Sequence, residues 1–212
     1  MKTVCFVNGS LRGKKTSSSK FLDDIYRLLS SEYVKTSVSV KARPKEGYPT
    51  ETLKLIGEAD AVVLVFPVYT YGLPGALMRL LEDYYRFARA ANAPRAGTRV
   101  YAVLNCAFPR PEMTSKEAVR VIRNFCRRLS LDWRFAICIG TGPVVAMTRK
   151  LPFLDLKLKR AYSRLVSDIA EGGESGVADC FIRPVVPEVV IRKIKEYYEK
   201  KGRMRERGHE QS

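Results

Sequence analysis

Short apolar runs alternate with amphipathic stretches along most of this chain. The run Ala61–Phe66, with the sequence AVVLVF, is continuous, as in a parallel strand that is covered on both faces. Val4–Val7, Arg99–Leu104 and Trp133–Ile139 are similar short runs, whereas Val34–Val40 alternates apolar and polar residues, as an edge strand does. Strands that alternate with helices predict a three-layer α/β fold, with a five-stranded parallel sheet and helices on both faces.

The spacing of apolar residues predicts five helices between and after these strands. They span Ser17–Ser31, Thr50–Glu58, Gly75–Ala91, Thr114–Leu129 and Leu151–Ala170. Thr114 and Glu117 have the spacing of a capping box at the start of the fourth helix. A short extra strand over Ala178–Ile182 and a final helix over Pro187–Lys201 are also expected. Because no repeat or linker interrupts this pattern, we expect a single domain over residues 1–201 and a disordered polar tail over residues 202–212.

The chain of 212 residues carries a net charge of +16, which favours acidic partners and brings nucleic acid into consideration. However, the basic residues are scattered over helix faces, and no nucleic-acid-binding motif accompanies them. A solvated basic surface is therefore the favoured interpretation, and nucleic acid is not expected as a partner.

The five cysteines are widely spaced, and no pair has the CxxC spacing of a zinc or iron–sulfur site. This usage fits reduced thiols in a cytoplasmic protein, and no metal is expected. No apolar run is long enough to span a bilayer, and Met1-Lys2 leads directly into a strand without a signal peptide. The expected localisation is cytoplasmic, without a membrane span.

A glycine- and serine-rich basic loop follows the first strand. Gly9 and Gly13 permit tight bends, Arg12 adds positive charge, and Ser17 and Ser18 stand where the next helix begins. A helix N-terminus with hydroxyl groups and a basic loop is suited to binding a phosphate. It is neither a P-loop nor a GxGxxG fingerprint, and a serine-rich cap can also serve the helix alone, so this loop by itself leaves both interpretations open.

Three unusual loops follow apolar strands, and they span Asn8–Ser19, Pro67–Gly75 and Asn105–Pro111. In a flavodoxin-like strand order the first, third and fourth strands are neighbours, so these loops would meet in one crevice at the carboxyl edge of the sheet. The second loop offers aromatic side chains and a glycine, and the third offers Asn105 and Phe108. A phosphate pocket beside an aromatic slot fits a mononucleotide that carries a planar ring.

Gly9-Ser10-Leu11-Arg12 with Ser17-Ser18, followed by the sequence PVYTYGLP over Pro67–Pro74, resembles the flavodoxin-like NAD(P)H-dependent oxidoreductases of the FMN reductase group. Asn105-Cys106-Ala107-Phe108-Pro109 is similar to the third flavin loop of one branch, in which a glycine usually stands at the Ala107 position. The resemblance extends over roughly residues 2–142.

The resemblance implies noncovalent FMN, with NAD(P)H as co-substrate, and hydride transfer through the flavin to a quinone, a free flavin or another small acceptor. No catalytic side chain is predicted, because the flavin carries the chemistry. The implied FMN-binding residues are Ser10, Arg12, Ser17 and Ser18 at the phosphate, Pro67, Val68, Tyr69, Thr70, Tyr71 and Gly72 along the isoalloxazine ring, and Asn105, Cys106, Ala107 and Phe108 on its pyrimidine side. The alternatives are a flavodoxin-like electron carrier and a non-enzymatic basic binding protein.

Two further assignments stay open at this point. Tyr84, Tyr85 and Phe87 could line the interface of a homodimer, which is common in relatives of this group, or could pack in the core. Cys106 could be a redox thiol, although a small, partly buried residue is favoured.

Overall fold

A computed structural model of the chain describes residues 1–12, 16–40, 47–90, 97–149, 156–173, 176–183, 189 and 192. Its sheet has six parallel strands in the order β2-β1-β3-β4-β5-β6. The strands are β1 (Thr3–Asn8), β2 (Val34–Ser39), β3 (Ala61–Pro67), β4 (Arg99–Asn105), β5 (Asp132–Ile139) and β6 (Cys180–Ile182). Leaving aside β6, this is the flavodoxin-like order that places β1, β3 and β4 side by side.

The helices form a layer on each face of the sheet. They are α1 (Ser17–Leu28), α2 (Thr50–Gly57), α3 (Gly75–Ala90), α4 (Pro111–Arg128), α5 (Gly142–Thr148) and α6 (Leu156–Glu171). Apolar side chains of α2, α3 and α4 share one buried cluster, and those of α1, α5 and α6 share the other. The predicted three-layer α/β architecture is confirmed.

The middle strand β3 contributes to both clusters, because successive side chains along a strand point to opposite faces. Val62, Leu64 and Phe66 enter the cluster of α2, α3 and α4, whereas Val63 and Val65 enter the cluster of α1, α5 and α6. Both faces of β3 are therefore covered, which explains why its sequence is apolar without alternation.

The structure differs from the prediction at several element boundaries. The short extra strand expected over Ala178–Ile182 forms as Cys180–Ile182 and pairs with β5 as β6, so the sheet has six strands where five were predicted. The helix α4 begins at Pro111 rather than at Thr114, since proline fits the first turn of a helix and lacks the N–H that would be left unpaired there. The short helix α5 follows β5 and was not predicted.

Only residues 189 and 192 of the predicted final helix are described, and the predicted tail over residues 202–212 lies outside the described residues. Among the helices of the described part of the chain, none combines the length and the apolar character that crossing a membrane would require.

A buried ion cluster joins the amino ends of β4 and β5 to the end of α6. The Arg134 guanidinium donates to both carboxylate oxygens of Asp168, with Nε–Oδ2 and Nη2–Oδ1 distances of 2.9 Å and 2.8 Å. The Tyr101 hydroxyl donates to Asp168 Oδ2 over 2.6 Å, and Arg134 also bonds Asp132 over 3.2 Å. Burial raises the pKa of Asp168, but the hydrogen bonds from Arg134 and Tyr101 outweigh burial, and the net effect is a lowered pKa.

The strand order changes direction between β1 and β3, since the chain leaves β1 for β2 on one side and returns to β3 on the other. In open α/β sheets, ligands bind beyond the carboxyl ends of the strands at such a switch point. The register places Asn8 of β1 opposite Val65 of β3, and Pro67 of β3 opposite Asn105 of β4. The loops that follow these three strands therefore begin next to one another.

Candidate functional site

A cavity of about 470 Å³ opens at the carboxyl edge of the sheet, where the loops after β1, β3 and β4 meet. Its volume lies in the range of roughly 300–1,000 Å³ that is usual for small-molecule sites. The residues that line it are Ser10, Arg12, Thr16, Ser17, Ser18, Pro67, Val68, Tyr69, Asn105, Cys106, Ala107 and Pro143.

One end of the cavity is formed by the N-terminus of α1. Thr16 is the N-cap residue, and its hydroxyl oxygen accepts the Ser19 N–H over 3.2 Å. The N–H groups of Ser17 and Ser18 are among the first of the helix, which have no intrahelical partner. These groups, the serine hydroxyls and the nearby Arg12 guanidinium create a positive, donor-rich environment, which suits a phosphate.

Asn8, the last residue of β1, fixes the loop that leads to this helix. Its Oδ1 accepts the Ser10 N–H over 3.0 Å, and its Nδ2 donates to Ser19 Oγ over 3.2 Å. Gly9, between Asn8 and Ser10, has to be a glycine, because a Cβ there would lie 2.7 Å from the Cβ of Phe66. The loop after β1 is thus held to both the helix and the sheet.

The loop after β3 contains a tight two-residue turn. The Tyr69 N–H donates to the Gly72 carbonyl over 3.1 Å, and the Gly72 N–H donates back over 2.9 Å. The central residues Thr70 and Tyr71 have φ angles of 47° and 66°. Positive φ at a β-branched threonine is strained, and such strain is concentrated at functional sites in proteins. Tyr71 is 55% exposed, so packing of its side chain does not explain the turn.

The loop after β4 is hydrogen-bonded to the segment that follows β5. The Thr141 N–H donates to the Phe108 carbonyl over 2.8 Å, and the Gly142 N–H donates to the Cys106 carbonyl over 2.7 Å. A Cβ on Gly140 would lie 2.6 Å from the Pro109 carbonyl oxygen. The two segments therefore touch through their backbones, and side chains at these glycines would separate them.

Asn105, the last residue of β4, connects the three loops. It is 4% exposed, and its amide nitrogen donates to Ser18 Oγ over 2.8 Å and to the Phe66 carbonyl over 3.1 Å. Its own carbonyl accepts the Val68 N–H over 2.8 Å. One residue thus bonds the N-terminus of α1, the end of β3 and the start of the turn-containing loop.

Comparison with known proteins identifies the architecture. No protein-family model matches the chain, and no curated protein matches it either. Among solved structures, an NADH:FMN oxidoreductase in its apo form matches with a TM-score of 0.64 at 14% identity, over 82% of this chain and 91% of that one. This match agrees with the strand order. The chain has the flavodoxin-like fold.

Two further flavodoxin-like structures match at similar levels. A general stress protein 14 from Treponema denticola, in complex with FMN, gives a TM-score of 0.56 at 14% identity, over 80% of this chain and 99% of that one. An NADPH-quinone reductase from P. pentosaceus gives 0.54 at 13% identity, over 82% and 100%. The predicted resemblance to flavodoxin-like NAD(P)H-dependent oxidoreductases is therefore confirmed at the level of the fold.

Ten of the fourteen residues that the sequence predicts for the site line the cavity of this flavodoxin-like fold. The other four, Thr70, Tyr71, Gly72 and Phe108, belong to the same loops but are not among its lining residues; Phe108 is 61% exposed. Their role in binding stays a prediction, as does that of the ten.

Two lining residues, Thr16 and Pro143, were not predicted. Thr16 is the first of four consecutive hydroxyl residues, Thr16–Ser19, at the start of α1, and this run could have been used to predict Thr16 as a site residue. Pro143 follows the glycine-rich end of β5, and the proximity of this segment to the loop after β4 was not visible in the sequence.

Four of the five thiols are buried, and Cys180 is partly buried. Burial raises the pKa of Cys5 to about 11 and that of Cys126 to about 12, which disfavours the reactive thiolate. Cys106 lines the cavity but is itself buried, and its Sγ bonds the Phe108 carbonyl over 3.3 Å. Among the described residues there is no group of three or more histidine, cysteine or acidic side chains placed to hold a metal ion.

Proposed function

We propose that this protein is an FMN-binding oxidoreductase that transfers a hydride from NAD(P)H through the flavin to a quinone, a free flavin or another small acceptor. The observation that carries the proposal is that residues of three loops line one shared cavity, with the hydroxyl-rich N-terminus of α1 at one end and Tyr69 among its other lining residues. The flavodoxin-like neighbours, which include an NADH:FMN oxidoreductase and an FMN complex, support it.

The residues present fit the two parts of FMN. Ser10, Ser17 and Ser18 offer donors for the phosphate, and Arg12 offers a positive charge. The alanine at position 107 is compatible with the third loop, because its φ angle is not positive and a glycine is not required there. Tyr69 supplies an aromatic surface for the ring.

Bound FMN would supply the ring that accepts and passes on the hydride. The chain's own residues would bind its phosphate at α1, orient the ring between the loops after β3 and β4, and limit water at the buried wall formed by Val68 and Cys106. No side-chain acid or base is assigned, because hydride transfer to a flavin is chemistry of the cofactor and the nicotinamide.

FMN binding is tested by titrating the purified protein into FMN and following quenching of the flavin fluorescence. Saturable binding at micromolar protein is expected, and Arg12→Ala should weaken it. Arg27→Ala removes the same charge from the last turn of α1 and serves as the matched control. Absence of binding by the unmodified protein would refute the proposal.

The enzymatic part is tested separately. Oxidation of NADH and NADPH is followed at saturating FMN with a quinone acceptor. Turnover with either nicotinamide supports the oxidoreductase. FMN binding without any turnover would instead favour the electron-carrier alternative.

We also propose that the protein forms a homodimer. Tyr84 is 2% exposed and packs in the core, so it cannot line the interface. Tyr85 lines a groove of about 500 Å³ between α3 and α4, together with Met78, Val121 and Phe125. Light scattering after size-exclusion chromatography tests the dimer, and Tyr85→Glu should shift it towards monomer if the groove is the interface.

A further inference from the structure

The hydroxyl of Ser18 has an unusual hydrogen-bonding position. Ser18 is 1% exposed but lines the cavity, and its Oγ lies 2.8 Å from Asn105 Nδ2. A serine hydroxyl has one hydrogen to donate and two lone pairs to accept with. If the hydroxyl accepts the bond from Asn105, its hydrogen remains available for a ligand; if it donates that bond, only a lone pair remains.

A second bond settles the orientation of the Asn105 amide. The same nitrogen lies 3.1 Å from the Phe66 backbone carbonyl, which can only accept a hydrogen bond. The NH₂ group of Asn105 must therefore face Phe66, and it also faces Ser18. Ser18 Oγ is consequently the acceptor, and its own hydrogen remains to be donated.

No acceptor for the Ser18 hydrogen occurs among the residues that the structure describes. The neighbouring hydroxyl differs, because Ser19 Oγ is bonded to both Asn8 Nδ2 and Thr16 Oγ1 and does not line the cavity. A buried hydroxyl with an unused hydrogen beside the N-terminus of a helix calls for an anionic acceptor.

We propose that Asn105 is a positioning residue for phosphate binding, which holds Ser18 so that its O–H donates to a phosphate oxygen of the ligand. The inference rests on the proposed function, and it moves Asn105 from the pyrimidine side of the ring, where the sequence placed it, to the phosphate end. Asn105 thereby couples the end of β4 to the anion site on α1.

The test compares FMN with riboflavin, which has the same ring but lacks the phosphate. Dissociation constants of both flavins are measured by fluorescence for the unmodified protein, Ser18→Ala, Asn105→Ala and the combined variant. A hydrogen bond to a charged group corresponds to roughly 10- to 100-fold in affinity. Ser18→Ala should lose that factor for FMN and leave riboflavin binding almost unchanged.

Asn105→Ala, like Ser18→Ala, should lower the preference for FMN over riboflavin. The combined variant should match Ser18→Ala, because the amide has nothing to orient once the hydroxyl is absent. Arg27→Ala, in the last turn of α1 and outside the cavity, should leave the preference unchanged. Since Ser18→Ala removes one oxygen at the start of a helix, it provides a result even if Asn105→Ala does not fold.

Equal losses of FMN and riboflavin affinity in Asn105→Ala would overturn the inference in favour of a contact with the ring. A combined variant whose loss of preference is the product of the two single losses would overturn it as well. If the unmodified protein binds riboflavin as tightly as FMN, the phosphate role fails while the proposed function stands. If it binds neither flavin, both fail.

Discussion

Gly142 offers a direct way to disturb the site without changing a residue that lines it. A Cβ at this position would lie 2.8 Å from the Cβ and 2.9 Å from the Oδ1 of Asn105. Both distances are shorter than real Cβ contacts, so Gly142→Ala must move Asn105, the backbone of the loop, or both. Because Asn105 bonds Ser18 and Phe66, the displacement reaches the N-terminus of α1 and the end of β3.

The expected cost follows from these contacts. Inserting a methyl group into a packed site typically costs about 1–3 kcal/mol of stability. The clash is with the first atoms of a buried side chain that makes two hydrogen bonds, so we expect the upper half of that range, about 2–3 kcal/mol. FMN affinity should also fall, because the Ser18 hydroxyl would lose its fixed position.

Urea unfolding of the unmodified protein and Gly142→Ala, with and without FMN, measures both effects. Gly75→Ala is the matched control, since a Cβ there meets nothing within 4 Å, and the change should be neutral or stabilising by up to about 1 kcal/mol. In Gly142→Ala combined with Asn105→Ala, the loss should be somewhat smaller than the sum of the single losses, because the contacts with Asn105 Oδ1 and Cγ at 2.9 Å and 3.2 Å are removed, while the contact with its Cβ at 2.8 Å remains. A Gly142→Ala protein with unchanged stability and unchanged FMN affinity would refute this reasoning.

Three other predictions concern stability. Arg134→Met leaves the buried Asp168 carboxylate without its main partner and should cost about 3–5 kcal/mol in urea unfolding; a loss below 1 kcal/mol would contradict the buried ion pair. Because the folded pKa of Asp168 is lowered, its stabilisation is complete above the unfolded pKa of about 3.9 and is lost as the pH falls through the folded value. Acid unfolding curves should therefore show a smaller dependence on pH below 4 for an Asp168→Asn protein that still folds. Tyr71→Gly relieves a positive φ at an exposed position and should raise stability by about 0.5–1 kcal/mol while it weakens FMN binding; thermal unfolding and the fluorescence titration check the two parts, and a lower melting temperature would count against strain in this turn.

The sequence predicted most of what depends on local pattern. The apolar run from Ala61 forms β3 because two helix layers cover it, and Ser17 and Ser18 lie at the start of α1 as their capping chemistry indicates. The prediction failed at Thr114, where a capping-box spacing competed with the preference of Pro111 for the first turn. Local signals of similar strength cannot be ranked without the surrounding chain.

What the sequence could not predict depends on distances between segments far apart in the chain. The glycines at 140 and 142 are required by the space beneath the loop after β4, and nothing in their local sequence specifies that space. The direction of the Asn105 amide depends on a carbonyl from β3. Such roles become visible only when the strands are placed side by side.

The ion cluster of Arg134, Asp168 and Tyr101 lies at the amino ends of strands whose carboxyl ends carry the cavity. The loops at the carboxyl edge of the sheet could therefore be shortened, lengthened or changed in sequence without disturbing the ion cluster at the opposite edge. That spatial division makes the scaffold a candidate for binding new ligands through loop exchange alone.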